Sequence, residues 1–271
     1  MRPDTVFSLY TTLYPENLPQ RRSELLQAIR FNCQCSAISR IVLLLEGELY
    51  PELLHESKIE VVLMQRRPNY SDFFSCINAR ATGSEISIIA NTDIYFDQNI
   101  SVLAHLPLDA CALALSRWNL RASGKPELFN RNDSQDVWVF KGPLKPIVGN
   151  FPLGIPFCDN RFLYELQQAG YKVLNPAFSI QSFHLHAGVR SEYTKETVKQ
   201  YVEGPYRYCY PHNFYSLPQT LWFNATHKVK LQPYRYDPKK MNRWWLIRMV
   251  RLFCKLCHFS FPLIGYRHTP L

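Results

Sequence analysis

The stretch Ile86-Ser87-Ile88-Ile89-Ala90-Asn91-Thr92-Asp93-Ile94-Tyr95-Phe96-Asp97 carries the fold assignment. Its first five residues are apolar apart from one serine, the mark of a short strand covered on both faces. The chain then turns polar within one residue and places two carboxylates, Asp93 and Asp97, just past the strand. Toward the N-terminus, Ile59 to Met64, Ile41-Val42-Leu43-Leu44-Leu45 and Val6-Phe7-Ser8-Leu9-Tyr10 read as further strands, with amphipathic helices near Tyr70 to Ala79 and Arg21 to Phe31. This alternation indicates βαβ units around a mostly parallel sheet. Such sheets bind ligands beyond the carboxyl ends of their strands, which makes Asp93 the leading site residue.

Toward the C-terminus, Ala112 to Ser116 reads as another strand, followed by a polar excursion and the stretch Asp133-Ser134-Gln135-Asp136-Val137-Trp138-Val139-Phe140. The segment Phe151 to Asn160 reads as a loop feeding a helix over Arg161 to Ala169, with Asp159 or Asn160 as its N-cap and Gly170 closing it. A strand resumes at Tyr171 to Leu174. Period-two alternation over Ser179 to His186 then sends His184 and His186 to the same side. There is no fixed repeat and no Gly/Ser linker, so the body is one cooperative unit.

The 271 residues are 46% hydrophobic and 20% charged, ordinary globular values in a chain long enough for a large core. The opening lacks a basic region followed by an apolar run, and no window offers the roughly 18 uncharged apolar residues of a spanning helix, which sets the expectation of a cytoplasmic protein. Eight scattered cysteines fit reduced thiols. The alternative, a four-thiolate zinc site from Cys33, Cys35, Cys254 and Cys257, needs an unusual CxC half-site and two halves distant in sequence. The Rossmann dinucleotide fingerprint and the P-loop are both absent, which removes the main support for dehydrogenase and P-loop NTPase readings.

Read from the residues alone, Asp93 is either a ligand-binding carboxylate or a turn-former after a strand, a role open to Asp97 too. His184 and His186 are either metal ligands or hydrogen-bonded structural histidines. Asp159 is a proton acceptor or a helix cap. Asp136 sits with Gln135 and Trp138 in a stretch suited to gripping a sugar ring, or in a polar loop entering a strand. Arg117 and Trp118, just past a strand, stand where a substrate would be touched.

The strand Ile86 to Ala90 ending in an acidic motif, the Gly154 to Asp159 loop feeding a helix, Ala169-Gly170-Tyr171-Lys172-Val173 and the histidine near Phe183 together resemble the GT-A glycosyltransferases, in particular their bacterial family-2-like branch. The resemblance spans roughly residues 5 to 190 and implies an α/β, Rossmann-like, mostly parallel central sheet flanked by helices. It also implies a nucleotide-sugar donor and a divalent ion, Mn2+ or Mg2+, held at the acidic motif. In that family the motif is DxD; here it reads Asp93-Ile94-Tyr95, so the second acid is missing and more weight falls on His184 or His186 as metal ligands. The resemblance further makes Asp159 the catalytic base of an inverting reaction, with Asp136 in reserve. It places Thr11, Tyr14, Arg21, Arg66, Asn91, Asp93, Arg117 and Trp118 around the nucleotide sugar. A non-catalytic module of the same fold that binds glycan or a partner enzyme remains open because of the incomplete DxD. A sugar nucleotidyltransferase is the other alternative, although residues 8 to 21 contain no glycine.

The formal charge is +9, and from Asp237 onward seven Lys/Arg against one Asp supply six of those charges. On a helical wheel Lys240, Arg248, Arg251, Lys255 and His258 fall within about 80° while Trp245, Ile247, Leu252, Phe253 and Leu256 occupy the remainder. A narrow basic stripe on a broadly apolar helix suits an anionic membrane surface, engaged by residues 239–259, or packing on the body. No nucleic-acid-binding signature accompanies it. The expected organisation is thus a catalytic domain over 1–190, an extension over 191–236 packing on it, and a basic helical segment over 237–271. The expected acceptor is a glycan or lipid-linked glycan, met at the inner face of the cell membrane.

Overall fold

The computed structural model describes residues 5–48, 50–120, 124–185 and 201–233, together with Met249. In chain order these form β1 (Phe7–Leu13), α1 (Pro19–Gln34), β2 (Arg40–Glu46), β3 (Ile59–Met64), α2 (Tyr70–Asn78), β4 (Ile86–Ala90), β5 (Ile94–Tyr95), β6 (Cys111–Leu115), β7 (Trp118–Leu120), β8 (Pro126–Leu128), β9 (Val137–Lys141), α3 (Cys158–Gln168), β10 (Lys172–Leu174), β11 (Phe183–His184) and α4 (Leu217–Thr226). A seven-stranded sheet has the order β10-β6-β9-β4-β1-β2-β3, and a four-stranded sheet the order β5-β11-β7-β8. The large sheet is the mostly parallel, Rossmann-like sheet the sequence indicates. Its exception is β9, which enters antiparallel between β4 and β6.

Period-two side-chain direction sorts the core into two layers. Leu9 and Leu13 of β1 with Ile41, Leu43 and Leu45 of β2 face one layer, where α1 packs Leu26 and Ile29. Tyr10, Val42 and Leu44 face the other, filled by α2 and α3. The helices divide this way because β1 to β2 and β3 to β4 cross the sheet in opposite directions, and a right-handed crossover then puts α1 and α2 on opposite faces. Tyr70, Phe73, Phe74 and Ile77 line the buried face of α2. The Tyr70 ring meets Phe162 of α3 at 4.2 Å between centroids, and each such aromatic stabilises by roughly 1.5–3 kcal/mol through burial. From 201–233, Val202 joins the layer of α2 and α3 while Phe223 and Leu231 join the layer of α1.

The start and the cap of the helix expected over Arg161 to Ala169 need correction. Helix α3 begins at Cys158, three residues before the expected start, and its cap position is Phe157 in the left-handed region at φ 65°. Asp159 and Asn160 therefore lie within the first turn and neither is the N-cap. Asp97 is the turn-former of its pair, accepting from Asn99 N at 3.0 Å at the start of a 3-10 helix, Gln98–His105. The described cysteines are free thiols, and burial pushes Cys33 up to about 12. His186, Cys254, Cys257 and the basic segment, apart from Met249, lie outside the described residues. Among the described residues no helix is long and apolar enough to cross a membrane.

Candidate active site

Chain progression from β1 runs outward to β2 and β3, then returns to β4 on the other side of β1. The connections leaving β1 and β4 diverge there, and the region beyond their carboxyl ends is the topological position at which open sheets of this kind bind ligands. The two strand ends are stitched together: Thr92 Oγ1 donates to Thr12 O at 2.8 Å, and the two threonine hydroxyls lie 3.0 Å apart.

The small sheet brings the polar side chains to this region. In β5, Ile94 pairs with His184 of β11, and Leu185 N donates to Asp93 O at 2.9 Å. On its other side β11 pairs with β7, setting His184 opposite Asn119. Register thus sets Asn119 opposite His184, and the Leu185–Asp93 backbone bond brings Asp93 beside them. Asp93 Oδ2 accepts from Arg21 Nη2 at 2.7 Å and lies 3.1 Å from His184 Nε2. Arg21, in the first turn of α1, also donates to Glu24 Oε2 at 3.1 Å. His184 Nδ1 lies 3.0 Å from Asn119 Oδ1, which also accepts from Arg117 Nε at 3.0 Å.

Arg117 carries the chain of contacts to the other half of the site, where its Nη1 reaches the Asp136 oxygens at 3.0 and 3.2 Å. Asp136 directly precedes β9, and its position between β4 and β6 is fixed by Asn91 N donating to its carbonyl at 3.1 Å and by its own N donating to Leu115 O at 3.0 Å. Asn91 Nδ2 adds a bond to Asp136 Oδ1 at 2.9 Å. Asp159 joins through Gln135 N, 3.4 Å from its Oδ2, and Cys158 Sγ, 3.3 Å from its Oδ1.

The carboxyls are tuned in opposite senses. Burial would raise Asp93, but the hydrogen bond and charge of His184 and the charge of Arg21 outweigh it and hold the group well below the usual carboxylate range. Burial and the neighbouring Asp136 carboxylate push Asp159 up to about 8, against opposing contributions from Cys158, the Gln135 N–H and Arg117. One acid is thus favoured in its charged form and the other in its protonated form.

Of the residues singled out by sequence, Arg21, Asn91, Asp93, Arg117, Asp136, Asp159 and His184 come together. Tyr14 lies close enough to Arg21 to act on its charge. Thr11 is buried within β1. Arg66 is exposed beyond the edge strand β3 and paired with Asp72 of α2 at 2.8 Å, two strands from β1, and does not join this cluster. Trp118 is 5% exposed and donates from Nε1 to Ala177 O at 2.8 Å, which makes it a core residue. Asn119 and Glu24 were missed. The signal for Asn119 was the same period-two rule used elsewhere: it puts Arg117 and Asn119 on one side and turns Trp118 to the other.

Asp93 and His184 fit a divalent ion in part. Their donor atoms, 3.1 Å apart, have the separation of two neighbouring corners of an octahedron with arms of about 2.1 Å. The His184 ring has its second nitrogen anchored, as metal-bound imidazoles do. Tyr95, where a second acid would stand, is instead stacked on Phe183 with centroids 5.3 Å apart. Among the described residues no group of three His, Cys, Asp or Glu side chains converges on one point. A cation held by these two residues would therefore need substrate oxygens or water to complete its shell, the usual arrangement for Mg2+.

No protein-family model and no curated protein matches the chain. Solved structures with a similar course of the chain include Staphylococcus aureus TarS 1-349 in complex with UDP-GlcNAc, at 8% identity and TM-score 0.45, covering 73% of this chain and 62% of that one. They also include GalNAc-T7 with UDP, GalNAc and Mn2+, at 10% identity and TM-score 0.44, covering 67% of this chain and 43% of that one. The 4-diphosphocytidyl-2C-methyl-D-erythritol synthase of Anaerococcus prevotii is similar at 13% identity and TM-score 0.35 over 51% of this chain and 70% of that one.

Proposed function

We propose that this chain is a glycosyltransferase that moves a sugar from a nucleotide-activated donor to a hydroxyl of a glycan or lipid-linked acceptor, by an inverting displacement. The observation that carries this reading is the unbroken polar chain beyond the carboxyl ends of β1 and β4, with Arg21, Asp93 and His184 at one end and Asp136 and Asp159 at the other. The first end suits a diphosphate: the Arg21 guanidinium offers charge-assisted hydrogen bonds, and Asp93 with His184 would hold Mn2+ or Mg2+. When bound, that ion would supply neutralisation of the charge developing on the departing diphosphate.

The second end supplies the proton acceptor. The acceptor hydroxyl oxygen forms a bond to the anomeric carbon as the bond from that carbon to the diphosphate oxygen breaks. The bonding pair leaves with the diphosphate and the hydroxyl proton passes to Asp159. The neighbouring Asp136, held by Arg117 and Asn91, helps keep the Asp159 carboxyl basic. A membrane-proximal acceptor would account for the basic segment over 239–259.

The test is release of nucleoside diphosphate from a panel of nucleotide sugars with oligosaccharide and lipid-linked acceptors. The expected outcome is turnover of one donor class, reduced about 100-fold or more in Asp159→Asn. Near-normal turnover in the folded variant removes the base assignment, and the absence of release with every donor favours a non-catalytic module.

A further inference from the structure

Helix α4 inverts the pattern of an ordinary surface helix. Its ten residues, Leu217–Thr226, include no charged side chain, and the two it buries are Thr220 and Phe223. Leu217, Pro218, Leu221, Trp222 and Ala225 are all exposed, and at 100° per residue they fill an unbroken outward arc of about 140°. Leu217 is 51% exposed, Leu221 57% and Trp222 73%. Beside Trp222 the apolar surface continues into an open furrow of about 500 Å3 that Tyr215, Pro218 and Phe223 help to line. Single apolar residues are normal on a protein surface, whereas a contiguous apolar helix face marks a contact.

The charges around this face identify what it meets. From Gly204 to Tyr236 the sequence has no acid, against the bases Arg207, Lys228, Lys230 and Arg235. Lys228 and Lys230 are exposed just past the helix. Lys230 Nζ donates to Asn224 O and, at 2.8 Å, to His227 O, which holds its charge at the C-terminal end of α4. Leucines and a tryptophan bordered by lysines, with no acid nearby in sequence, suit the headgroup layer of an anionic bilayer. There the leucines reach the acyl chains, the indole stays at the interface and the ammonium groups meet phosphate. Surfaces that meet another protein are instead depleted of lysine.

We propose that the outward face of α4 is a membrane-contact surface of the body, seated on anionic phospholipid through Leu217, Leu221 and Trp222 with Lys228 and Lys230 at its edge. Thirteen residues separate Thr226 from Lys239, a reach of at most about 45 Å, so α4 and the basic segment over 239–259 can share one bilayer face. The segment supplies most of the hold, and α4 fixes which side of the body faces lipid. The inference rests on the proposed function for the nature of the acceptor, but not for lipid binding.

The experiment follows vesicle contact of the full chain by tryptophan fluorescence. Trp118 is 5% exposed and Trp138 fully buried, so in Trp244→Phe/Trp245→Phe the indole within reach of lipid is Trp222. With mixed phosphatidylcholine–phosphatidylglycerol vesicles, brominated acyl chains are expected to quench Trp222. In the otherwise native chain, Leu221→Gln is expected to weaken sedimentation with these vesicles about 10-fold, and Lys228→Gln about fivefold. No vesicle binding by wild type, vesicle-bound protein with Trp222 unquenched, or Leu221→Gln indistinguishable from wild type each overturns the proposal. Unquenched Trp222 on bound protein assigns the face to the chain's own basic segment or to a second copy. Should the double variant not fold, Leu221→Gln decides, because its side chain is outside the core. Release of nucleoside diphosphate with a soluble oligosaccharide acceptor separates the two readings: release with Trp222 unquenched defeats only this inference, and quenching without release from any donor defeats only the transferase reading.

Discussion

Asp159 offers a test that needs no substrate. The fold pushes its carboxyl up to about 8, whereas an unfolded aspartate titrates at about 4. Between those values the unfolded chain has released the proton and the folded chain keeps it, so the folded state binds more protons and wild-type stability falls as pH rises. The slope is at most about 1.4 kcal/mol per pH unit, hence about 2.7 kcal/mol between pH 5 and 7. Partial solvent contact of Asp159 makes that an upper limit. Asp159→Asn mimics the protonated form and removes the loss. Urea denaturation of both proteins at pH 5, 6, 7 and 8 isolates the effect, because titrations common to both cancel in the difference. The variant is expected to gain on wild type by roughly 1–2.7 kcal/mol from pH 5 to 7, with the gain levelling off above pH 8. A difference constant within about 0.5 kcal/mol across that range, the experimental scatter of such comparisons, would mean an ordinary carboxylate and would refute the reasoning.

Other consequences follow from the same contacts. Replacing Asp136 by Asn removes the negative charge that helps raise Asp159, so the rising limb of the pH profile for nucleoside diphosphate release should move below its wild-type midpoint near 8; an unchanged midpoint would show that the two carboxyls do not interact. Trp118→Phe deletes the buried bond to Ala177 O and should cost about 1–2 kcal/mol in urea denaturation, while donor affinity stays within twofold of wild type by calorimetry. Truncation after Asp237 removes seven positive charges and should abolish sedimentation with vesicles containing anionic lipid while leaving neutral vesicles unaffected; unchanged sedimentation assigns the segment to packing on the body.

The strands were legible because a strand buried on both faces must be almost wholly apolar, as Ile86 to Ala90 and Ile41 to Leu45 are. Their direction was not, since period-two burial is the same either way; nothing in Val137 to Lys141 announces the antiparallel entry of β9. Asp93 was legible from its place just past a buried strand, and His184 from its alternation with Phe183. What joins them is a pairing of two-residue strands, too short to leave a sequence pattern, and its partner residues are 91 positions apart. The α3 start was misjudged because Asp and Asn usually cap helices; here Phe157 takes the cap with a left-handed backbone that few side chains adopt. Arg66 looked like a cleft residue by position after β3, but β3 is the sheet edge, a fact of strand order that the linear sequence does not contain.

The central claim is that the region beyond the carboxyl ends of β1 and β4 receives a nucleotide sugar, and the most direct measurement is the shift in melting temperature with a panel of nucleotide sugars, with and without Mn2+, in wild type and Asp93→Ala. At a donor concentration of about 100 times Kd, binding stabilises by about 2.7 kcal/mol, which for a chain of this size raises Tm by roughly 5–10 °C. The account predicts such a rise for one nucleotide class, larger with Mn2+ and lost in Asp93→Ala. No rise with any donor in a folded wild-type sample, or the same rise in both proteins, would contradict it.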